Sequence, residues 1–292
     1  MQKIKELLIE KSMLVSALIT IAVTVGIVVV LAIEAVSFFS DVSIVDFLTD
    51  TQWTPLFTDK HYGILPLLSG TLLTSLIAIS VALPIGLTIS IFLSEYAPKS
   101  FRKSIKPLLE LLAAVPTVVY GFFALIVVTP FLQEIIPNLS GFNSLSAGIV
   151  MGIMIIPYVS SLSEDALHAV PNALREASFG MGATRLQTAF KVIVPAGSSG
   201  IIVSIILAIS RAIGETMIVA IAAGQQPRLT FDPTVPVETI TAYIVQVSLG
   251  DVQHGSIEYR TIFAAGITLF VFTFMLNTLS YRIRKKYREK YE

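Results

Sequence analysis

The lengths of the apolar runs constrain this chain more than any other feature of its sequence. A bilayer core is about 30 Å thick, so a helix needs about 20 apolar residues to cross it. Spanning segments are expected to be helices because unpaired backbone groups are too costly in hydrocarbon. Runs of this kind lie near 13–36, 66–94, 108–132, 145–162, 199–224 and 261–281. The sequence therefore predicts an all-α polytopic membrane protein with about six transmembrane helices.

Composition excludes several other classes. Only 14% of the residues are charged, whereas soluble domains carry about 25%. The 20 basic and 20 acidic side chains cancel, which argues against a nucleic-acid partner. The chain has no cysteine, and His61, His168 and His254 lie far apart in predicted solvated loops, so no metal site is expected. We expect one transmembrane domain over residues 1–292.

The distribution of charge predicts the orientation of the chain. Basic residues close to the ends of spans favour the cytoplasmic side. They form three groups: Lys3, Lys5 and Lys11; Lys99, Arg102, Lys103 and Lys106; and Arg282, Arg284, Lys285, Lys286, Arg288 and Lys290. With six spans all three groups, and both termini, face the cytoplasm. The first apolar run is too long for the core of a signal peptide, so it is expected to be retained. The external stretch 226–259 is predicted to be an ordered loop with a short helix or re-entrant piece.

The long internal loop 163–198 has the composition of an ordered segment. Its sequence predicts a helix that begins at Pro171 and Asn172, and glycines then interrupt the pattern. Thr184 and Gln187 have the spacing of a capping box, which begins a second short helix ending at Pro195. Two interpretations remain open at this point. The loop presents a face to a soluble partner, or it only packs on its own bundle.

One motif in this loop resembles a known family. Glu176-Ala177-Ser178, three residues, Gly182, nine residues and Val192-Ile193-Val194-Pro195 are similar to the EAA loop of ABC importer permeases, with small or apolar exchanges at three positions. The resemblance implies that the loop docks in a groove of a separate ATPase. The residues implied in that coupling are Glu176, Ala177, Ser178, Gly182, Arg185 and Pro195. The chain has no GxxxxGK[ST] phosphate loop, so it is expected to hold no cofactor and to catalyse no covalent chemistry, with ATP and Mg bound by the partner ATPase.

Two ionisable residues lie near the middle of the fifth run. An ionisable side chain at the bilayer centre costs at least about 2.5–3.5 kcal/mol. Arg211 and Glu215 are four residues apart, so on one helix they share a face and can pair. Either they form a buried ion pair that locks helix packing, or they lie on a polar substrate path. Small residues at four-residue spacing on the same run, from Gly200 to Gly224, predict close helix packing, within the chain or against a second permease.

Two further stretches resemble the phosphate permeases of the Pst family. They are the segment Arg211-Ala212-Ile213-Gly214-Glu215-Thr216-Met217 and the segment from Glu110 to Phe122. Met217 and the Ala-Gly-Gln run after it favour the PstC-like branch over the PstA-like one. The resemblance implies a type I ABC importer permease fold in a prokaryotic plasma (inner) membrane, with Arg211, Glu215 and Thr216 on the phosphate path. It also implies a PstA-like second permease, two PstB-like ATPase subunits and an external PstS-like phosphate-binding protein.

The chemistry of these side chains suits phosphate. Arginine offers a planar fork of donors that matches phosphate oxygens, and Thr216 and Ser210 are candidates for hydroxyl contacts. Hydrogen phosphate can donate a hydrogen bond to Glu215, whereas sulfate near neutral pH has no proton with which to do so. Equally, Glu215 pairs with Arg211 when the site is empty. Glu110 is expected either to favour a helix N-terminus that begins near Pro107 or to act in gating.

Three rival functions remain open from the sequence. A permease for molybdate or sulfate keeps the internal loop but gives no reason for the Arg211 and Glu215 pair. A proton-coupled secondary transporter uses Glu215 as its proton carrier. A structural membrane scaffold tolerates the loss of Arg211.

Overall fold

The computed structural model describes the backbone of residues 2–287 and the side chains of residues 5–279, 281 and 282. Helices follow one another through this range. They are α1 (Gln2–Asp41), α2 (Ile44–Thr49), α3 (Leu65–Ile91), α4 (Lys99–Ala114), α5 (Thr117–Phe123), α6 (Thr129–Ile135), α7 (Ser144–His168), α8 (Asn172–Gly180), α9 (Arg185–Thr188), α10 (Val194–Ala196), α11 (Ser198–Ile213), α12 (Met217–Ala222), α13 (Ile240–Leu249) and α14 (Ile257–Tyr287). Turns of π-helix extend α3 and join α5 to α6 and α9 to α10.

The number of membrane spans agrees with the prediction. Five helical segments of the described chain are long and apolar enough to cross a membrane: Lys5–Asp41, Leu65–Tyr96, Thr117–Ile135, Ser144–His168 and Ile257–Leu279. A sixth span is formed if Arg185–Ala196 and Ser198–Ile213, which meet at a bend of 72°, count as one. The fold is therefore all-helical and the protein crosses the membrane several times.

The predicted third span, 108–132, is wrong in its bounds. α4 ends at Ala114, Val115 and Pro116 are extended, and α5 begins at Thr117. Proline disfavours helical geometry at the residue before it, which explains the break. α4 is a separate amphipathic helix without a buried residue, and the apolar span itself is Thr117–Ile135.

The core of the bundle forms around α7, the helix of the shortest predicted run. α7 packs most extensively against α3 and next against α11. Glycines allow the close approach to α3, because a Cβ built on Gly148 would lie 2.7 Å from the Ile77 side chain and one built on Gly152 would lie 2.7 Å from the Ala78 carbonyl oxygen. Small residues at helix contacts have this role in membranes, where packing drives helix association.

A second cluster lies at the opposite end of the bundle from α8–α10, and we call it the outer cluster. It joins α1, α2, α13 and α14 through buried aromatic and aliphatic side chains, and Trp53 packs edge-on against Tyr243 with ring centroids 5.0 Å apart. The predicted short helix within 226–259 is confirmed as α13. Glu238, just before α13, is only 2% exposed, and burial raises its pKa to about 8.

Some predictions about single residues have a mixed outcome. His168 is the last residue of α7 and contacts Arg102, so its assignment to a loop is wrong. His61 and His254 lie in loops as predicted. Of the basic tail, Arg282 is described and exposed. The side chains of Lys3, Arg284, Lys285 and Lys286 and all of Arg288 and Lys290 lie outside the described residues.

We expect Gly152→Ala to lower the thermal unfolding midpoint of the purified protein by several degrees. The new methyl group meets a backbone carbonyl that moves only if α3 moves, and overpacking a core costs about 1–3 kcal/mol. Gly26→Ala on α1 is the matched control, because nothing lies within 4 Å of its Cβ position. Equal midpoints for the two variants would contradict the close α3–α7 packing.

We expect the stability of the wild-type protein to fall as pH rises from about 4.5 toward 8. Glu238 keeps its proton in the folded state over this range and loses it in the unfolded state, so unfolding releases a proton there. Glu238→Gln should remove this part of the pH dependence in thermal unfolding measured at a series of pH values. The exposed Glu134, changed to Gln, is the control, and a slope unchanged by Glu238→Gln would show that the carboxyl is ionised in the fold.

Candidate functional site

The predicted fifth span is divided by a break in the helix. α11 ends at Ile213 and α12 begins at Met217. The amide of Glu215 donates to the carbonyl of Ala212 at 3.2 Å, which tightens the last turn of α11. The prediction of one continuous helix over 199–224 is therefore wrong at residues 214–216, and the amides that begin α12 require other acceptors.

Glu215 supplies those acceptors. Its Oε1 accepts from the amides of Met217 at 3.1 Å and Ile218 at 3.4 Å, and its side chain is buried. Thr241 near the start of α13 donates to the carbonyl oxygen of Glu215 at 2.7 Å. The carboxylate thus stabilises the first turn of α12, and the break is tied to α13.

Arg211 faces a different environment. Its side chain is exposed in the isolated chain and lines a cavity of 130 Å³ with Ala113, Met154, Ile155 and Tyr158. No ion pair within the described part of the chain includes Arg211. The ion pair with Glu215, one of the two interpretations of these residues, is absent because the helix ends two residues after Arg211 and the carboxylate turns to the amides of α12.

The other polar candidates of this segment lie close by. Thr216 is half-buried, and its hydroxyl donates to the carbonyl of Gly214 at 3.4 Å. Ser210 instead donates to Asn277 of α14 at 3.2 Å, so its hydroxyl joins two helices. Arg211, Glu215 and Thr216 therefore lie together at the break, but only Arg211 lines the cavity.

The ribbon of small residues on α11 packs within the chain. Ser204 is buried and its hydroxyl lies 2.6 Å from that of Ser163 on α7. A Cβ on Gly200 would lie 2.3 Å from the Cβ of Ala166. Ala208 and Ala212 are buried as well. Of the two interpretations, intramolecular packing is confirmed for this half of the ribbon.

The predicted internal loop forms a sharp corner between α8 and α9, and we call α8–α10 the corner segment. α8 ends in a Schellman motif, with Ala183 N–H donating to Ser178 O and Gly182 N–H to Phe179 O, and Gly182 has φ +83°. The predicted capping box of Thr184 and Gln187 is present in both directions. These two local motifs fix where the first helix ends and the second begins.

The corner segment has an inner and an outer face. Thr188, Ala189 and Ile193 are buried on the bundle, and the Ser178 and Thr188 hydroxyls lie 2.9 Å apart. Of the predicted coupling residues, Glu176, Ala177, Gly182, Arg185 and Pro195 are exposed, and Ser178 is half-buried. Large apolar side chains are exposed among them, Met181 at 88% and Leu186 at 60%. The segment therefore packs on its own bundle and also offers an apolar outer face.

No local pattern in the sequence indicates the contact that anchors this segment. Arg175 donates from Nη2 to Glu95 Oε1 at 2.9 Å and from Nε to Glu95 Oε2 at 3.2 Å. The same guanidinium donates to the carbonyls of Val170 and Leu167. Glu95 belongs to the π-helical turn that extends α3. The forked contact thus connects the corner segment to α3, and only a pairing of residues 80 positions apart could have revealed it.

Glu110 does not have the helix-terminal position predicted for it. α4 begins at Lys99 and Pro107 lies inside the helix, so Glu110 is far from the first turn and the dipole explanation is wrong. Instead Glu110 lines two adjoining cavities of 720 and 410 Å³. The other role predicted for Glu110, in gating, stays a prediction.

The architecture defines a class of protein, a multi-span membrane permease with a helical corner exposed at one end. A family model described as "Binding-protein-dependent transport system inner membrane component" matches residues 82–289, and the chain belongs to this family. It is 36% identical to the probable ABC transporter permease protein YqgH of Bacillus subtilis, over 89% of this chain and 84% of that protein. It is 35% identical to the phosphate transport system permease protein PstC of Mesorhizobium japonicum, over 79% and 75%.

Solved structures share the fold at low identity. A bacterial alginate ABC transporter in complex with an alginate pentasaccharide-bound periplasmic protein matches with a TM-score of 0.58 and 19% identity, over 87% of this chain and 88% of that one. The inward-facing MetNI methionine ABC transporter matches with a TM-score of 0.56 and 17% identity, over 78% and 95%. The fold is that of the type I ABC importer permeases.

We expect Arg175→Lys to loosen the corner segment without unfolding the bundle. Lysine keeps the charge but loses the fork, and hydrogen bonds to charged groups contribute about 1.5–3 kcal/mol each. Hydrogen exchange at residues 172–196 should therefore accelerate, while that of α7 stays unchanged.

A double-mutant cycle with Glu95→Gln tests the pairing directly. The double variant should exchange no faster than the more affected single variant. Arg185→Lys is the control, because Arg185 is exposed and in no ion pair of the described residues. Additive effects of the two single changes would contradict the contact.

Proposed function

We propose that this chain is the permease subunit of an ATP-driven phosphate importer, which forms the translocation path and couples to a separate ATPase. Family membership supports the transport role. The phosphate transport permeases among its relatives and the RAIGETM segment that resembles the Pst family support the substrate. The PstC-like branch is favoured because the named phosphate relatives belong to it.

The observation that carries the proposal is the environment of Arg211. A guanidinium in a transmembrane helix is costly unless it faces an aqueous path or a partner. Arg211 lies 13 positions after Ser198, about 20 Å along α11 at 1.5 Å per residue. It lines a cavity and, within the described residues, no carboxylate pairs with it. A permanent, unpaired cation with a planar fork of donors suits a phosphate anion in transit.

Glu215 makes the path selective for anions that carry a proton. Its carboxylate lies four positions from Arg211, and one oxygen is engaged by the amides of α12. The hydroxyl of a hydrogen phosphate that reaches Arg211 can donate a hydrogen bond to a carboxylate, whereas sulfate at neutral pH carries no hydroxyl that could donate one. Glu215 therefore disfavours anions without a proton, and Thr216 lies beside it as a hydroxyl partner.

The corner segment is the proposed coupling surface. Its exposed residues, Glu176, Ala177, Gly182, Arg185 and Pro195 with the apolar side chains around them, dock in a groove of the ATPase, and Ser178 holds the corner from inside. Two PstB-like ATPases bind ATP and Mg, a PstA-like permease completes the pore, and a PstS-like protein delivers phosphate. This chain holds no cofactor and performs no covalent chemistry.

The proposed orientation follows from charge. The basic groups of α1, α4 and the C-terminal tail face the cytoplasm of a prokaryotic cell, as does the corner segment. Both termini are then cytoplasmic, and the outer cluster with α13 faces the external binding protein. ATP-driven closure of the ATPases pushes the corner segment, and the Arg175–Glu95 contact transmits that movement to α3 and the core.

We expect Arg211→Ala to reduce phosphate uptake at least about tenfold in proteoliposomes that contain the whole transporter, because one lost charge-assisted contact exceeds 1.4 kcal/mol. Arg211→Lys should retain part of the activity, since it keeps the charge and loses the fork. Arg282→Gln, an exposed residue at the end of α14, is the control. Glu215→Gln should keep phosphate uptake and admit sulfate.

Each rival function predicts a different result in the same vesicles. Uptake that persists without ATP while a proton gradient remains would identify a secondary transporter. Preferred uptake of sulfate or molybdate by the wild type would identify a permease for another oxyanion. Full uptake by Arg211→Ala would remove the path assigned to it, and unchanged sulfate exclusion in Glu215→Gln would remove the selection mechanism.

A further inference from the structure

A large cavity lies at the same end of the molecule as the corner segment, and we call it the basic vestibule. It has a volume of 720 Å³ and lies between α4 and the junction of α7 with α8. Its lining consists of Lys99, Arg102, Lys103, Lys106, Pro107, Glu110, His168 and Asn172. Four of these eight side chains are permanent cations, and only Glu110 is acidic.

One face of α4 lines this vestibule along most of the helix. Lys99, Lys103, Lys106, Glu110 and Ala113 follow one another at intervals of three or four residues, which places them on one side of an α-helix. From Lys99 to Ala113 the face extends about 21 Å at 1.5 Å per residue. No residue of α4 is fully buried; Lys99, Lys103, Glu110 and Ala113 on this face are exposed, and Lys106 is half-buried against α7.

Two more cavities lie between the basic vestibule and Arg211. The next has a volume of 410 Å³ and shares Glu110 with the vestibule. The third, of 130 Å³, shares Ala113 and Tyr158 with the second and ends at Arg211. The three cavities thus adjoin one another in a row from the cationic end of α4 to the unpaired guanidinium in α11.

The cations of the vestibule are not all neutralised. Glu164 of α7 is 1% exposed and pairs with Arg102 and with Lys106, the latter at 3.1 Å. Lys106 also contacts Asp165 at 2.6 Å. Lys99 and Lys103 form no ion pair with any described residue and are exposed. Two free ammonium groups therefore remain one turn apart at the mouth of the route.

We propose that the basic vestibule is a second anion site, which receives a phosphate group at the cytoplasmic end of the route and holds it with Lys99 and Lys103. The buried Glu164 positions Arg102 and Lys106 on the wall of the site. This inference rests on the proposed function only in naming the occupant as free phosphate leaving Arg211. A lipid phosphate headgroup has the same chemistry, but the row of adjoining cavities that leads to Arg211 favours the free anion.

Protection of lysines from an amine-acylating reagent tests the site, with labelling read by mass spectrometry. The whole transporter is placed in phosphatidylcholine nanodiscs, with inorganic phosphate or with chloride at equal ionic strength. Phosphate should slow the labelling of Lys99 and Lys103 at least about threefold and leave exposed Lys11 unchanged. A second arm omits phosphate and adds phosphatidylglycerol, which shows whether headgroups give the same protection.

Each outcome decides the proposal. Protection by phosphate in the zwitterionic lipid supports it. Protection only by the anionic lipid overturns it in favour of a headgroup site. Protection in neither arm overturns it, as does a lack of labelling without any anion, which would mean that another subunit covers this face.

Uptake by variants gives an independent measurement. The double variant Lys99→Gln, Lys103→Gln should take up phosphate at least about threefold more slowly than the wild type. The control variant Lys11→Gln should take up phosphate at the wild-type rate. Equal uptake by the double variant and the control would overturn the transport role of the site. Protection measured in Arg211→Ala separates this inference from the proposed function. If uptake fails to depend on Arg211 but phosphate still protects the lysines, the substrate path assigned to Arg211 fails and the anion site stands; if the whole transporter takes up no phosphate but phosphate still protects the lysines, the importer proposal fails and the anion site stands.

Discussion

A helix that is interrupted inside an apolar bundle must find partners for the backbone groups that the interruption frees, and this requirement organises the centre of the molecule. Glu215 accepts from the first amides of α12, and Thr241 donates to the carbonyl of Glu215. With these groups satisfied, α11 ends just after Arg211. The arginine is then left without the carboxylate that the sequence offers it and faces the cavity beside α4 and α7.

The same centre is mechanically connected to the corner segment. Arg175 binds Glu95 in the turn that extends α3, and α3 packs against α7 through glycines that leave no room for a side chain. α7 in turn contacts α11, partly through the Ser163 and Ser204 hydroxyls. We therefore expect a displacement of α8 to move α3, α7 and α11 as well, because closely packed helices cannot shift independently of one another. In the proposed importer, this series of contacts joins the ATPase to the substrate path.

The sequence predicted the parts of this structure that depend on local patterns. Run lengths predicted the spans, and the Thr184 and Gln187 spacing predicted the start of α9. It failed where distant residues decide the outcome. The break at 214–216 is stabilised by Thr241, and the role of Arg175 depends on Glu95, so neither appears in a window of neighbouring residues. The predicted third span, 108–132, ran across Pro116, which instead separates α4 from the true span. The apolar end of α4 had raised the hydropathy of the residues before Pro116, so the two helices were read as one run.

The corner at Gly182 has a consequence for how the molecule handles force. Its left-handed backbone and the Schellman hydrogen bonds close α8 at one angle, and the capping box opens α9 immediately afterwards. A hinge needs torsions that rotate cheaply, and here the adjoining torsions are all held. In the proposed importer, we therefore expect α8 and α9 to move as one rigid unit anchored at Arg175, so that a force applied to one helix also turns the other.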